Sequence, residues 1–426
     1  MYIKEKIYER DVHKDVVLKI LAIIPSLFLI YGVAVTLFTY PNLRSFLGGF
    51  RDILLSPTVL LTDFIQVGGL GVAFIHTAII GFMMLLLFWH YKLRINGLLI
   101  AAFFTVIGFS FFGKNWVNIP PVFLGGILYS RYQKISFKNV VLVIMFGTAL
   151  SPIVSELMFS GVIPDRYNIP AGIVIGVFIG FIIVPLSSHM LRFHDGFNLY
   201  NIGFTAGIIG TVITSLLRNM DIEIQSAYIL YEEQTVSLWV LMIIGFVSLI
   251  VIGAHIKYNG VLEYSKILRH KGRTITDFTS LDGYGITFMN MGIMGMLSLV
   301  LVFLLGGVLN GPILAGILTI VGFSAFGKHP KNATPIVLGV IIAAMLFGAD
   351  LSSTSVIIAV LFSTTIAPIA GTFGPFIGII AGILHFILVT KVGDIHGGMN
   401  LYNNGFSGGI VAGFLVPIVD AFKKGE

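Results

Sequence analysis

The sequence predicts an all-α polytopic integral membrane protein with about 14 transmembrane segments, arranged as two inverted repeats of seven spans with broken or re-entrant helices. Three observations predict this fold class. Apolar residues make up 56% of the 426 residues and charged residues only 11%, whereas a soluble domain carries about 25% charged residues. Apolar stretches of roughly 20 residues recur along the chain, and that length crosses a hydrocarbon core. The third observation is an internal repeat that covers most of the sequence.

The repeat is clearest in a ten-residue block that occurs twice. Residues 198–207 (NLYNIGFTAG) and 400–409 (NLYNNGFSGG) are identical at seven positions. Two earlier blocks recur with a constant offset of 214 residues, 62–64 as 276–278 and 105–114 as 319–328. The offset falls to 202 near the end of each half, so the first half carries about twelve extra residues, which we place in a surface loop around Gly161–Asn168. A constant offset over this length indicates duplication.

Each half contains seven candidate spans. Those of the first half are about 16–39, 72–90, 95–112, 119–131, 138–160, 169–188 and 199–216, and those of the second half are about 235–254, 286–306, 311–326, 335–348, 353–371, 373–390 and 401–418. Proline interrupts the fifth span of each half, at Ser151-Pro152 and Ala367-Pro368. We therefore expect a cytoplasmic N-terminus (1–15), repeat 1 (16–220), an acidic extracytoplasmic connector (221–234), repeat 2 (235–419) and a cytoplasmic tail (420–426).

Loop charges predict the orientation of the spans. With the N-terminus in the cytoplasm, about 19 of the 26 Lys and Arg residues fall inside and about six outside, which agrees with the positive-inside rule. An odd number of spans per half would invert the second half relative to the first. Loops that are basic in the first half should then have second-half counterparts without positive charge. The basic loops His90–Arg94 and Ser130–Lys138 correspond to Gly306–Pro312 and Ala344–Ser353, which contain no Lys or Arg. This pattern favours inverted repeats over parallel repeats with an even span count, in a multi-pass protein of the cell membrane.

Composition also excludes several kinds of chemistry. The chain has no Cys, which excludes disulfides, thiolate metal sites and Cys nucleophiles. The net charge of +6 is explained by basic loops and requires no nucleic-acid partner. Residues 1–14 lack the layout of a cleaved signal peptide, so we expect the first span to be permanent. We expect no cofactor and no metal.

The paired Asn-Leu-Tyr-Asn motif is the first candidate site. A polar cluster costs free energy in an apolar background, so its presence in both halves suggests substrate binding. The candidate binding residues are Asn198, Tyr200, Asn201, Asn400, Tyr402 and Asn403. Asn198 and Asn201 are three apart and would share a face on a helix. Asp195-Gly196 and Gly397-Gly398 can interrupt the chain before a new helix, whose N–H groups could meet a polar or anionic group. The alternative is an Asn N-cap with interhelical hydrogen bonds, beside a packing stripe of small residues that begins at Gly203 and Gly405.

The second candidate element is Gly-Phe-Ser-x-Phe-Gly-Lys, which ends at Lys114 and Lys328. It is not a P-loop, because Asn115 and His329 replace the Ser or Thr after the lysine and the setting is an apolar span. Each lysine either extends to the membrane interface or serves a substrate pocket. Ser110 and Ser324 lie deeper in the same span and could line a pathway.

Candidate groups for ion or proton coupling are the repeated Asp63 and Asp277, the repeated His194 and His396, and Glu156, which has no acidic counterpart in the second half. Carboxylates in apolar segments and repeat-matched histidines are functional candidates by default. The alternatives are an N-cap at the membrane surface for Asp63 and an interfacial position for each histidine.

The repeated motif text resembles a bacterial membrane family catalogued only as a domain of unknown function, which implies no activity. In span count alone, the chain is similar to the nucleobase, sulfate and bicarbonate transporters, whose motifs are absent here. We predict a secondary transporter that moves a small polar, or anionic, solute by alternating access, coupled to an ion gradient or to exchange. The runner-up is a passive channel of the urea or ammonium kind, and a membrane-embedded enzyme is the third option. Expected partners are a small-molecule or ion substrate and the lipid bilayer, with a dimer or trimer left open.

Overall fold

The computed structural model describes residues 14–222, 224, 227–257 and 260–423. These residues form α-helices joined by turns, short 3-10 segments and isolated β-bridges. The helices are α1 (Lys14–Leu21), α2 (Ile23–Thr39), α3 (Leu43–Leu55), α4 (Phe64–Gly68), α5 (Leu70–His90), α6 (Gly97–Phe109), α7 (Ile119–Tyr132), α8 (Val141–Gly147), α9 (Ser151–Phe159), α10 (Asn168–Phe193), α11 (Asn201–Asn219), α12 (Val236–Ile256), α13 (Gly260–Glu263), α14 (Phe278–Leu281), α15 (Gly283–Leu304), α16 (Gly311–Phe323), α17 (Pro330–Leu346), α18 (Thr354–Ser363), α19 (Ala367–Phe373), α20 (Pro375–Ile395) and α21 (Asn403–Lys423).

Ten helical segments within the described residues are long and apolar enough to cross a membrane. They are Lys14–Thr39, Leu70–His90, Val141–Phe159, Asn168–Phe193, Asn201–Asn219, Val236–Ile256, Gly283–Leu304, Thr354–Phe373, Pro375–Ile395 and Asn403–Phe422. Each coincides with a span expected from the sequence. The other four expected spans, about 95–112, 119–131, 311–326 and 335–348, contain the shorter helices α6, α7, α16 and α17. A multi-pass membrane protein is therefore the fold class.

The predicted proline breaks are present in both halves. The 3-10 turns Thr148–Leu150 and Thr364–Ile366 interrupt the helices immediately before Ser151-Pro152 and Ala367-Pro368. Proline is tolerated in the first turn after each break because its missing N–H would have no helical partner there. A break in a helix leaves polar backbone groups without helical partners, and these groups can bond to other segments.

The predicted break before each Asn-Leu-Tyr-Asn motif is also present. Helix α10 ends at Phe193 and α11 begins at Asn201, while α20 ends at Ile395 and α21 begins at Asn403. The prediction that Asn198 and Asn201 share a helix face is wrong, because Asn198 lies in the turn before α11. Gly196, Gly397 and Gly398 have positive φ angles in these turns, a conformation that glycine adopts without steric cost.

The equivalent short helices α6 and α16 cross at the centre of the molecule in antiparallel directions. At one end, a Cβ on Gly97 would lie 2.3 Å from the carbonyl oxygen of Ala325. At the other end, a Cβ on Gly311 would lie 2.6 Å from the carbonyl oxygen of Phe111. The first residue of each helix thus meets the segment that follows the end of the other, and only glycine leaves room for these contacts.

Two further pairs of equivalent helices also contact each other in antiparallel directions. Tyr31 in α2 bonds to Ser237 near the start of α12 at 2.8 Å, and Ile24, earlier in α2, lies against Gly245, later in α12. Between α11 and α21, the glycine stripes admit aromatic rings from the opposite helix, so the predicted packing role of these glycines is confirmed. Gly207 lies against Phe406 and Gly409 against Phe204.

Candidate functional site

A cavity of about 250 Å³ lies between the two halves of the chain. The two motif tyrosines, Tyr200 and Tyr402, line it together with Asn201. Phe109 and Phe323, the last residues of the two central helices, line it as well. The Phe109 ring lies 4.8 Å from the Tyr402 ring, and the Phe323 ring lies 4.6 Å from the Tyr200 ring. Each half thus contributes one tyrosine that packs on the phenylalanine of the other half.

Contacts with the proline breaks hold the motif segments beside the cavity. The N–H of Leu199 donates to the carbonyl of Thr365 at 2.9 Å, and the N–H of Leu401 donates to the carbonyl of Ala149 at 3.1 Å. Thr365 and Ala149 are equivalent positions in the two 3-10 turns. The N–H of Tyr200 also donates to the Thr365 hydroxyl at 3.0 Å. Each motif is therefore fixed by the interrupted helix of the opposite half.

Both candidate lysines are fully buried, at 0% exposure. Lys114 donates to the hydroxyl of Tyr402 at 2.9 Å, and Lys328 donates to the hydroxyl of Tyr200 at 2.6 Å. Lys328 also donates to the hydroxyl of Thr364 at 2.8 Å. The structure thus excludes the alternative in which the lysines extend to the membrane interface. It places both directly behind the tyrosines that line the cavity.

A second cavity, of about 340 Å³, is lined by positions equivalent to many of those that line the central cavity. Asn404 lines both cavities. The equivalent pairs, with the central-cavity member first, are Thr274 and Leu60, Leu142 and Ile358, Val143 and Ala359, Ser187 and Val389, Ser188 and Thr390, Leu191 and Gly393, and Asn201 and Asn403. The repeat therefore generates two related cavities, of which one reaches the motif tyrosines.

The connector covers the second cavity, and among the described residues no equivalent segment lines the first. Ala227 and Tyr228 line that cavity. The connector runs beside residues 60–63 through three backbone hydrogen bonds, Leu61 N–H to Ala227, Ile229 N–H to Leu61 and Asp63 N–H to Ile229. Because the connector occurs once in the chain, it makes the two otherwise equivalent sides different.

The motif asparagines have different environments. Asn198 donates to the carbonyl of Gly405 at 2.8 Å and accepts from the Thr365 hydroxyl at 2.5 Å. Asn400 accepts from the N–H of Tyr402 at 3.0 Å. Both are buried and shape the backbone of the motif. Asn201 lines the central cavity and Asn403 lines the second cavity.

The repeated histidines each bond to the second asparagine of their own motif. His194 Nε2 lies 3.0 Å from Asn201 Oδ1, and His396 Nδ1 lies 2.6 Å from Asn403 Oδ1. The other ring nitrogen of each histidine is buried, and among the described residues neither has a hydrogen-bond partner of good geometry. Both histidines are almost fully buried within the protein.

The carboxylates of Asp63 and Asp277 each accept hydrogen bonds from the N-terminal N–H groups of two helices, one in their own half and one in the opposite half. Asp63 accepts from the N–H groups of Ile65 (2.8 Å), Gly311 (3.0 Å) and Tyr231 (3.1 Å). Asp277 accepts from the N–H groups of Thr279 (3.0 Å) and Gly97 (3.1 Å). Gly311 and Gly97 are the first residues of α16 and α6. These carboxylates therefore act as N-caps and face the positive end of each central helix dipole.

The remaining candidates lie away from the cavities. The hydroxyls of Ser110 and Ser324 donate to carbonyls of their own helices at 2.8 and 2.7 Å, and neither residue lines a described cavity. Glu156 is buried in α9, and its Oε2 atom has no hydrogen-bond partner within the part of the chain that the structure describes. Among the described residues, no group of three or more His, Asp or Glu side chains could hold a metal ion.

Sequence reasoning missed the polar pair formed by His385 and Asn404, whose side chains are 3.0 Å apart. Asn404 lines both cavities, and His385 is fully buried. Their counterparts in the first half are Ile183 and Ile202. A search for residues that are repeated in both halves cannot find this pair. The signal that could have found it is the presence of polar residues in the second half at positions where the first half has isoleucine.

Within the described residues, ten long apolar helices and a largely apolar interior that also buries polar side chains define a helical multi-pass membrane protein. The profile of one sequence family, described as "Protein of unknown function (DUF1576)", matches residues 42–219 and 256–421. The chain belongs to this family, and each matched segment contains one copy of the internal repeat. No curated protein and no solved structure matches the chain.

Proposed function

We propose that this protein is a secondary transporter that carries a small polar solute across the cell membrane by alternating access. The observation that carries the proposal is the pair of repeat-equivalent cavities, of which the central one is lined by the buried Tyr200 and Tyr402. In secondary transporters built from inverted repeats, the substrate lies between the repeats near the bilayer midplane. Exchange of conformation between the halves would then open one cavity as the other closes.

The proposed topology is two inverted repeats of seven spans each, with both termini in the cytoplasm. It is supported by the antiparallel contacts of three pairs of equivalent helices, α2 with α12, α6 with α16 and α11 with α21. In this topology α6 and α7 are the short third and fourth segments of the first half, and the turn between them contains Lys114. The equivalent segments of the second half are α16 and α17, and the turn between them contains Lys328. The central cavity then lies on the side of the basic loop that contains Thr274.

No ATPase motif is present in the sequence, so the energy source in this proposal is a proton or Na⁺ gradient, or exchange of solutes. His194, His396 and Glu156 each have a buried polar atom without a well-aligned hydrogen-bond partner among the described residues, and they are the proposed coupling candidates. Asp63 and Asp277 are occupied as helix caps, which makes them weaker candidates for that role.

Cysteine accessibility tests the mechanism without a known substrate. The chain has no Cys, so Ser187→Cys and Val389→Cys each introduce a single thiol, at equivalent positions in the two cavities. In inside-out and right-side-out vesicles, an impermeant maleimide should label Ser187→Cys from the cytoplasmic side only and Val389→Cys from the opposite side only. Labelling of both positions from both sides would indicate a continuous pore and favour the passive channel.

Substrate identity is approached by a melting-temperature screen of purified protein against amino acids, nucleobases, organic acids, urea and inorganic ions, because a ligand that binds the folded state stabilises it. A stabilising compound is then tested for uptake into liposomes that contain the protein, with and without a proton or Na⁺ gradient. The double variant Asn201→Leu/Asn403→Leu should insert normally but lose binding and uptake. Uptake that survives in this variant would show that these asparagines only pack.

A further inference from the structure

Lys114 and Lys328 have no acidic partner. Among the described residues, neither lysine forms an ion pair within 4.0 Å, although both are fully buried. Asp63 and Asp277, which belong to the same repeated core, are directed to helix N-termini instead. A buried ammonium costs several kcal/mol of desolvation, so buried charges in proteins are normally paired.

Aromatic rings compensate only part of this cost. The Lys114 ammonium lies 5.2 Å from the Phe109 ring centre and 5.0 Å from that of Tyr402. The Lys328 ammonium lies 4.3 Å from the Tyr200 ring centre and 5.2 Å from that of Phe323. A desolvated cation–π contact recovers less free energy than the desolvation of an ion costs. The environment of each lysine therefore leaves most of a positive charge without compensation.

The tyrosines connect both lysines to the cavity. Tyr200 and Tyr402 line the cavity and accept hydrogen bonds from Lys328 and Lys114. A tyrosine that accepts from an ammonium can donate its own proton, and charge-assisted donors of this kind bind oxyanions strongly. Much of the remaining lining is aliphatic or aromatic, including Leu142, Val143 and Phe146. The cavity thus combines an apolar wall with two tyrosines, each of which has a buried lysine amine behind it, outside the lining.

We propose that the solute is a small organic anion, whose carboxylate binds at the lysine–tyrosine pairs and whose apolar body lies against Leu142, Val143 and Phe146. This inference rests on the proposed transport function and specifies its substrate class. The two pairs are equivalent under the repeat, so the carboxylate can pass from one to the other when the halves exchange conformation. The missing counter-charge of each lysine would be supplied by the substrate itself.

The test measures the melting temperature of the full-length purified protein with two matched series of probes. The sodium salts of acetate, butyrate and benzoate vary the apolar body, and acetamide, butyramide and benzamide repeat each body without the charge. Sodium sulfate at the same ionic strength controls for salt. We expect a melting-temperature rise that grows from acetate to benzoate and is absent with the amides and with sulfate. Equal rises with the amides, or no rise with any carboxylate, would overturn the inference.

Three variants identify the groups responsible. Lys114→Met and Lys328→Met should abolish the carboxylate-induced rise, whereas Lys331→Met, an exposed position three residues from Lys328, should preserve it. Without ligand, both buried-lysine variants should melt at or above the wild-type temperature, because an apolar residue of similar volume removes an uncompensated charge. A lower melting temperature with the ligand response retained would show that the lysines are structural, and the inference would fail.

The outcomes separate this inference from the transport proposal. If a neutral compound binds and is carried into liposomes, the anion assignment fails while transport stands. If a carboxylate binds through the lysines but enters liposomes that contain the protein no faster than protein-free liposomes in any gradient, the anion site stands while transport fails.

Discussion

Replacement of Asp63 by Ala should severely destabilise the protein. The carboxylate accepts three backbone N–H groups, from its own helix α4, from the connector and from the first residue of α16. Asp63 is fully buried, so these donors would be left without water as a substitute. An unsatisfied buried donor costs about 1–3 kcal/mol, and partial relaxation brings the expected total to about 3–6 kcal/mol. That is a large share of the roughly 5–15 kcal/mol by which proteins are stable.

The assay is unfolding of the purified protein in mixed detergent micelles by titration with SDS, followed by circular dichroism. Asp63→Asn should lose less stability than Asp63→Ala. The Asn side chain keeps one oxygen that accepts hydrogen bonds, but its NH₂ group replaces the other oxygen and faces N–H groups that it cannot accept from. Asp277→Ala should cost less than Asp63→Ala, since Asp277 is only partly buried. Asp165→Ala, in an exposed loop, serves as the control and should unfold like the wild type.

A proton-coupling role for Asp63 predicts a different result. In that case Asp63→Asn would unfold like the wild type and lose only gradient-driven uptake. The capping argument is refuted if Asp63→Ala unfolds within about 1 kcal/mol of the wild type, which is less than the cost of one unsatisfied buried donor.

Three further predictions address packing, the motif and the topology. Gly125→Ala should lower the melting temperature, because its Cβ would lie 2.1 Å from a backbone carbonyl, whereas Gly48→Ala, with no atom within 4 Å, should be neutral or slightly stabilising. Thr365→Ala, which copies the alanine at the equivalent position of the first half, should cost about 1–2 kcal/mol in the same SDS titration through loss of two buried hydrogen bonds; no loss would mean that the motif does not depend on them. Single cysteines at Ser136 and Ser352, which are exposed in equivalent loops, should react with an impermeant maleimide from opposite sides of the membrane, and labelling from the same side would contradict inverted repeats.

The helical breaks and the long spans could be predicted from the sequence. The breaks before Asn201 and Asn403 and at Pro152 and Pro368 follow from local rules, because Gly and Pro act on the backbone where they stand. All ten long spans were predicted for a similar reason, since length and hydropathy are local quantities.

The partners of the candidate residues could not be predicted in this way. Lys114 bonds to Tyr402, which lies 288 residues away, and Asp63 bonds to Gly311, which lies 248 residues away. Such pairings depend on how the two halves pack, which no local pattern in the sequence specifies. The repeat located the right residue types, but only the packing distinguishes a lysine behind a tyrosine from one at the membrane interface.

The single connector has an energetic consequence for a protein made of two similar halves. Two repeats of identical sequence, related by a twofold axis, would make the two cavities equal in free energy. The connector adds three backbone hydrogen bonds at only one of them. If opening of that side in the proposed cycle breaks these bonds, then at about 0.5–1.5 kcal/mol each they would favour its closure by a factor of roughly ten to two thousand. A segment outside both repeats would thus set which side the empty protein faces at rest.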